Sequence, residues 1–291
     1  MQWLCTVLKK ARNMTFATDG FCSPAMARFR SSVRGVPEYE AWLRFAENLN
    51  RLGLDMLKGH EVPTTDNQRL LISVLFVRAH KSFQSAIILA ETGLLGDARA
   101  VVRRAVEGAI ALNALANDAG FVDLLIKAHY YNQRKIARLM LGNTDYRAAL
   151  SAQKIAKLEA TVSEIDSMEA AGSELRDIIW ADVAAKHCRD LYELLYRLFS
   201  SDGTHTTINA IHREVIYDAA GRITGLKVGP DTAGMVETLN AACLTLLWAA
   251  DPFARAFNQS GIRVQIQEQI RRFAQLPQDE PVNAQVVANF G

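Results

Sequence analysis

No proline interrupts the chain between Pro63 and Pro230. Proline removes a backbone donor and clashes with the preceding turn, so a stretch this long without one is free to run in long helices. The apolar residues agree. Trp42, Phe45, Leu49, Leu52 and Met56 recur three or four apart behind Pro37, which reads as a helix over 37–60. Pro63-Thr64-Thr65-Asp66 breaks the chain and caps a second helix over 67–92, carried by Leu70, Leu71, Val74, Leu75, Val77, Phe83, Ile87 and Ile88. Gly93 and Gly96 mark a turn, and Asp97 reads as the cap of a helix over 98–117. Asp118-Ala119-Gly120 ends that helix, and the next runs over 121–141 to Gly142-Asn143. Short turns make such helices antiparallel neighbours.

Residues 145–170 are more polar. Ile155, Leu158, Val162 and Ile165 form an a/d stripe of about two heptads. This is the seam of a surface helix, or the contact of a projecting helical hairpin or dimer. Residues 174–200 read as helical with a kink near Lys186, and 204–212 as a short helix after Asp202-Gly203. Then the period changes. Val215-Ile216-Tyr217 and Ile223 to Val228 flank a Gly-containing turn, a β-hairpin over about 214–229 closed by Gly229-Pro230. Helices return over 231–257 and 259–275. The expected fold is mainly α: a bundle of long antiparallel helices with one small inserted β-hairpin. The expected organisation is a loosely packed N-terminal arm over 1–36, a single helical domain over 37–276 and a C-terminal tail over 277–291. Met14 is a second candidate start.

Composition narrows the function classes. Net charge is +2, from 33 basic and 31 acidic residues, so bulk charge does not favour nucleic acid or an anionic membrane. The four cysteines, Cys5, Cys22, Cys188 and Cys243, form no close pair and fit neither a disulfide scaffold nor a zinc knuckle. Reduced thiols in a cytoplasmic protein are expected. The apolar start is too short for a signal peptide, and the segment from Ala233 to Ala250, nearest to a membrane span, is interrupted by Glu237 and Asn240.

One charge stands out. Glu107 is alone between Arg104 and Asp118, in an otherwise apolar and alanine-rich run. A carboxylate there must be paired, protonated or facing a cavity. Arg103 precedes it by one turn and can reach it. The pair shares a helix face with Ala111 and Ala114, which let another helix approach. It is expected to be largely buried, either as a register-fixing ion pair or as a carboxylate held for ligand or acid–base use. A second cluster runs from Tyr192 through Tyr196 to Asp202 and His205. The tyrosines are one turn apart, and a neutral His205 in the first turn of a short helix is suited to proton transfer. His129-Tyr130-Tyr131 with Arg134 is an aromatic–basic cluster on a helix edge, and Arg99, Arg103 and Arg104 read as a small basic patch or a solvated face. No metal-ligand spacing, phosphate loop or nucleophile elbow occurs. The arginine four to six residues ahead of a histidine that marks HEPN ribonucleases is also missing.

Three stretches carry a resemblance. They are Gly93-Leu94-Leu95-Gly96-Asp97-Ala98-Arg99-Ala100 leading to Arg103 and Glu107, Leu191-Tyr192 through Tyr196-Arg197 to Ser200 or Ser201 and His205, and the hairpin from Val215 to Pro230. Together they resemble a bacterial family known only as a domain of unknown function, numbered 5677, over roughly residues 68 to 250. The resemblance implies a helical fold and points to Arg103, Glu107, Tyr196 and His205; the family brings no established activity.

Two functions follow as expectations. The first is a ligand-binding or regulatory module, in a stress or defence setting, with a buried polar seam in which Arg103, Tyr192 and Tyr196 bind the ligand. The alternative is a metal-independent hydrolase acting on nucleic acid or nucleotide, with Glu107 and His205 catalytic. Neither needs a metal or cofactor. The partner is a small molecule or protein of unknown identity, and residues 145–170 are the expected homodimer contact.

Overall fold

The computed structural model describes residue 16, residues 20–200 and residues 207–277. The architecture is mainly helical. After a 3-10 turn at Gly20–Cys22 come α1 (Ala25–Arg34), α2 (Pro37–Leu57), α3 (Asn67–Glu91), α4 (Leu95–Asn117), α5 (Phe121–Gly142), α6 (Thr144–Ala149) and α7 (Ala152–Ala170). Then follow α8 (Trp180–His187), a π-helical stretch Leu191–Tyr196 that runs straight into the single turn α9 (Arg197–Phe199), and α10 (Ile208–Arg213). Strands β1 (Val215–Tyr217) and β2 (Ile223–Leu226) precede α11 (Met235–Ala256) and α12 (Ser260–Phe273).

The body is a bundle in which α11 lies against α2, α3, α4 and α12. This explains its composition: buried residues run along it from Met235 to Ala254 with few gaps. Trp42, Phe76, Phe83, Phe253 and Phe273 fill the space between the helices. No helix among the described residues is long and apolar enough to cross a membrane.

Local signals set the ends. The Asp66 carboxylate accepts from the Arg69 amide at 2.9 Å and starts α3. Helix α4 begins at Leu95, earlier than the Asp97 cap predicts, and Asp97 sits in its first turn, where the helix dipole favours a negative charge. Residues 145–170 form two helices rather than one, because Asn143 and Ser151 each cap a new start. The helix predicted over 174–200 is also divided. Residues 174–179 are not helical; there the Asp177 carboxylate accepts from Asn132 on α5 and from the Ile178 amide, drawing the segment onto α5. The break falls at Cys188 rather than near Lys186.

Helix α1 lies within the residues read as an N-terminal arm. Arg30 donates to the buried Glu91 at 2.6 Å, and Arg34 donates to Glu91 and, at 2.9 Å, to Glu47. At the other end of the described chain, the Trp42 indole donates to the Pro277 carbonyl at 2.8 Å.

The β-hairpin pairs Val215 with Leu226, Ile216 with Gly225 and Tyr217 with Ile223, with a bulge after Ile216. The Asp218 carboxylate closes its turn by accepting from the amides of Ala220 and Arg222, each at 2.9 Å. The chain returns to the bundle at the α3–α4 turn, where the Asp231 amide donates to the Gly93 carbonyl at 3.0 Å. Gly93 has φ +77°, and a Cβ there would lie 2.3 Å from Cβ of Pro230. Gly93→Ala therefore combines backbone strain with a clash against a rigid ring and should cost about 2–4 kcal/mol. Gly96→Ala, with no atom near the added methyl, should be neutral or stabilising by up to about 1 kcal/mol. Urea unfolding of the two variants checks the contrast.

Two histidines are packed against aromatic rings, His80 buried and His60 half-buried. His80, 3% exposed, lies between Phe76 and Phe83 with Nε2 3.3 Å from the Asn50 carbonyl. His60 lies 2.9 Å from the Ser73 hydroxyl, against Phe253 and Phe257. Burial lowers the pKa of both rings. The unfolded chain then binds more protons below the ordinary histidine value of about 6.5, so stability is full above that pH and falls as pH drops towards the folded values. Urea midpoints at neutral and mildly acidic pH should show the loss, and the double substitution His60→Gln with His80→Gln should reduce it, leaving the share of His187, whose pKa burial also lowers.

Candidate functional site

Helix α4 presents Arg99, Arg103 and Glu107 at four-residue spacing, so they form one row along its side. Helix α8 and the stretch from Leu191 to Phe199 pack against α4. The π winding there is shown by the Arg197 amide, which bonds the Tyr192 carbonyl five residues back. It leaves Tyr192 and Tyr196 stacked, with ring centres 4.7 Å apart and planes at 17°.

The seam is a chain of hydrogen bonds. Arg103 Nη2 donates to the Tyr196 hydroxyl at 2.6 Å, and that hydroxyl donates to Glu107 Oε1 at 3.1 Å. Arg103 Nε donates to the Ser200 hydroxyl at 2.8 Å, which donates to the Tyr196 carbonyl at 2.6 Å. The Arg103–Glu107 ion pair spans 3.3 Å, and the guanidinium carbon is 4.6 Å from the Tyr196 ring centre. Burial and the neighbouring Glu107 charge raise the Tyr196 pKa above the usual tyrosine value, while Arg103 opposes them. The phenol therefore keeps its proton at neutral pH and serves Glu107 as a donor.

The expectation of a largely buried pair needs correction. The Arg103 and Glu107 side chains are 21% and 29% exposed. The apolar part of α4 is buried from Ala109 to Leu115, whereas Arg103 and Glu107 keep an edge open to solvent beside Tyr196 and Ser200. The buried charge in this row is Arg99, 1% exposed, which the sequence offered only as part of a basic patch or solvated face. Its Nε donates to the Thr238 hydroxyl at 2.9 Å and its Nη2 to Glu237 at 2.7 Å, and its guanidinium lies over Phe199. The available signal was its position one turn ahead of Arg103. Arg104 is exposed, with Nε 3.3 Å from the Ser82 hydroxyl.

Tyr196, not Tyr192, touches Glu107. His205 lies outside the described residues, so the seam is built here from Arg103, Glu107, Tyr192, Tyr196 and Ser200. In the His129–Arg134 cluster, Arg134 turns away from the aromatic rings to pair with Asp166 and Glu169 on α7. Among the described residues no group of three or more His, Cys, Asp or Glu side chains is arranged to hold a metal ion.

A helical bundle with a half-buried Arg–Tyr–Glu seam is the class these features define. The chain belongs to the family of unknown function DUF5677, whose model matches residues 69–221, more than half of the chain, and covers α4, the tyrosine segment and the hairpin strand β1. No curated protein and no solved structure matches it.

The burial difference sets an order of stability effects. Arg103→Ala and Glu107→Ala should each cost about 1 kcal/mol or less, as partly solvated pairs do. Arg99→Ala, which removes a buried guanidinium joining α4 to α11, should cost about 2–4 kcal/mol. Chemical denaturation of the three variants tests the order; equal losses would contradict it.

Proposed function

We propose that the seam is a binding site for a small planar polar ligand and that the chain is a ligand-binding or regulatory module. One observation carries the reading. After the internal bonds are made, Arg103 Nη1, Glu107 Oε2 and the Tyr192 hydroxyl have no hydrogen-bond partner among the described residues. A cationic donor and an anionic acceptor thus stand one helical turn apart beside a stacked tyrosine pair. That arrangement suits a ligand with an acceptor and an N–H donor side by side on a flat edge, as amides and nucleobases have. The partly solvated position favours reversible recognition, and the near-neutral chain leaves recognition to local contacts. Cysteines Cys188 and Cys243 are free and buried, which supports a cytoplasmic setting.

The test is a thermal-shift screen of the full chain with nucleosides and aromatic amides at millimolar concentration. A ligand well above its Kd should raise Tm by about 2 °C or more. The shift should vanish in Arg103→Met, Glu107→Gln and Tyr192→Ala variants that keep their unliganded Tm. No hit, or hits indifferent to those substitutions, would defeat the reading.

A further inference from the structure

The β-hairpin carries an apolar face that the bundle leaves open. Val215 stands opposite Leu226 and Tyr217 opposite Ile223. Cross-strand partners share a face, and Val228 joins them two residues on from Leu226. Val215, at the root, is buried. Ile223, Leu226 and Val228 are 67%, 69% and 60% exposed, and Tyr217 is exposed beside them. A two-stranded hairpin is marginally stable by itself and gains from a helix packed on its face.

Phe16 fixes where the chain ahead of the bundle begins. It lies against Gly229, the residue after Val228: a Cβ on Gly229 would be 3.5 Å from the Phe16 Cβ. The Phe16 ring is held by Phe21 and Phe29, with ring centres 5.5 and 6.1 Å away. Residues 1–15 are therefore tethered at the foot of the hairpin, beside the exposed stripe.

Their sequence suits that stripe. Trp3, Leu4, Val7, Leu8, Ala11 and Met14 recur at three- and four-residue spacing and fall on one side of a helical wheel, with Lys9, Lys10, Arg12 and Asn13 on the other. Fifteen residues at the helical rise span about 22 Å. The strand from Ile223 to Val228 spans about 17 Å. The segment is thus long enough to cover the whole stripe. Its tether holds it there at an effective concentration of about a millimolar.

We propose that residues 1–15 dock on the hairpin of their own chain, with Trp3, Leu4, Val7 and Leu8 against Ile223, Leu226 and Val228 and the basic side outward. The contact uses no residue of the seam, so it stands or falls separately from ligand binding.

The test is alkylation of a thiol placed in the stripe. Leu226→Cys, in a full chain that also carries Cys5→Ser and Cys22→Ser, puts one exposed thiol on the hairpin, while Cys188 and Cys243 are buried. Its reaction with iodoacetamide, followed by mass spectrometry, should be about tenfold slower than in the same chain with Leu4→Asp and Leu8→Asp; at a millimolar effective concentration this requires a Kd of only ~0.1 mM. A thiol at the exposed Val264 on α12, introduced as Val264→Cys in place of Leu226→Cys, should react at the same rate in both chains, which separates docking from a general change in the fold. Equal rates at position 226 with and without the aspartates would overturn the contact. Protection that disappears on dilution from about 50 to about 1 µM protein would assign the stripe to a second copy and overturn the chain's own segment as its occupant.

Discussion

Helix α11 has to be buried on nearly every side, and the rest of the molecule is arranged around that requirement. A helix so enclosed has no water for its polar groups, so each needs a partner from a neighbour or from its own backbone. The Thr245 hydroxyl bonds the Ala241 carbonyl one turn back. The Trp248 carbonyl accepts from Asn113 on α4. At the head of the helix, Arg99 enters from α4 and takes Thr238 and Glu237 together. The charge that breaks the apolar segment in the sequence is thus one end of the link that sets α4 against α11. Arg103 and Glu107 are placed by the same helix, so the seam inherits its position from the packing of α4.

Much of this was legible in the residues. The absence of proline from 64 to 229, the helical spacing in α2 and α3 and the Asp66 cap gave the helices because each is a local signal. The Arg103–Glu107 pairing was legible for the same reason, since one turn of helix determines it. What the residues did not show depends on non-local packing. Arg99 and Arg103 have the same side chain on the same helix, yet one is enclosed by α11 and Phe199 and the other is half in water. Nothing in their immediate neighbours separates them. Residues 174–179 have ordinary helix-forming composition; an Asn132 side chain on another helix holds them in a non-helical path.

The seam and the α5–α7 hairpin occupy different situations. In the seam, Arg103 and Glu107 keep part of their polar surface open to solvent beside the tyrosine pair. Between α5 and α7, Arg134 and Arg138 pair with Asp166 and Glu169, and the outer face of α5 exposes Ile136 and Leu139.

The π winding at Leu191–Tyr196 has a consequence for how this site can change over time. An i to i+5 turn holds one more residue than the α-helical turn around it. Loss of one residue from this stretch would restore ordinary winding and swing Tyr196 and Ser200 about a quarter-turn or more away from α4, at roughly 100° per residue. Arg103 and Glu107 would still face each other on α4, but Tyr196 and Ser200 would no longer meet them. The geometry of the seam is therefore encoded in a residue count as much as in residue identity. Substitutions would wear it down gradually, whereas a single deletion would dismantle it while leaving the bundle beneath intact.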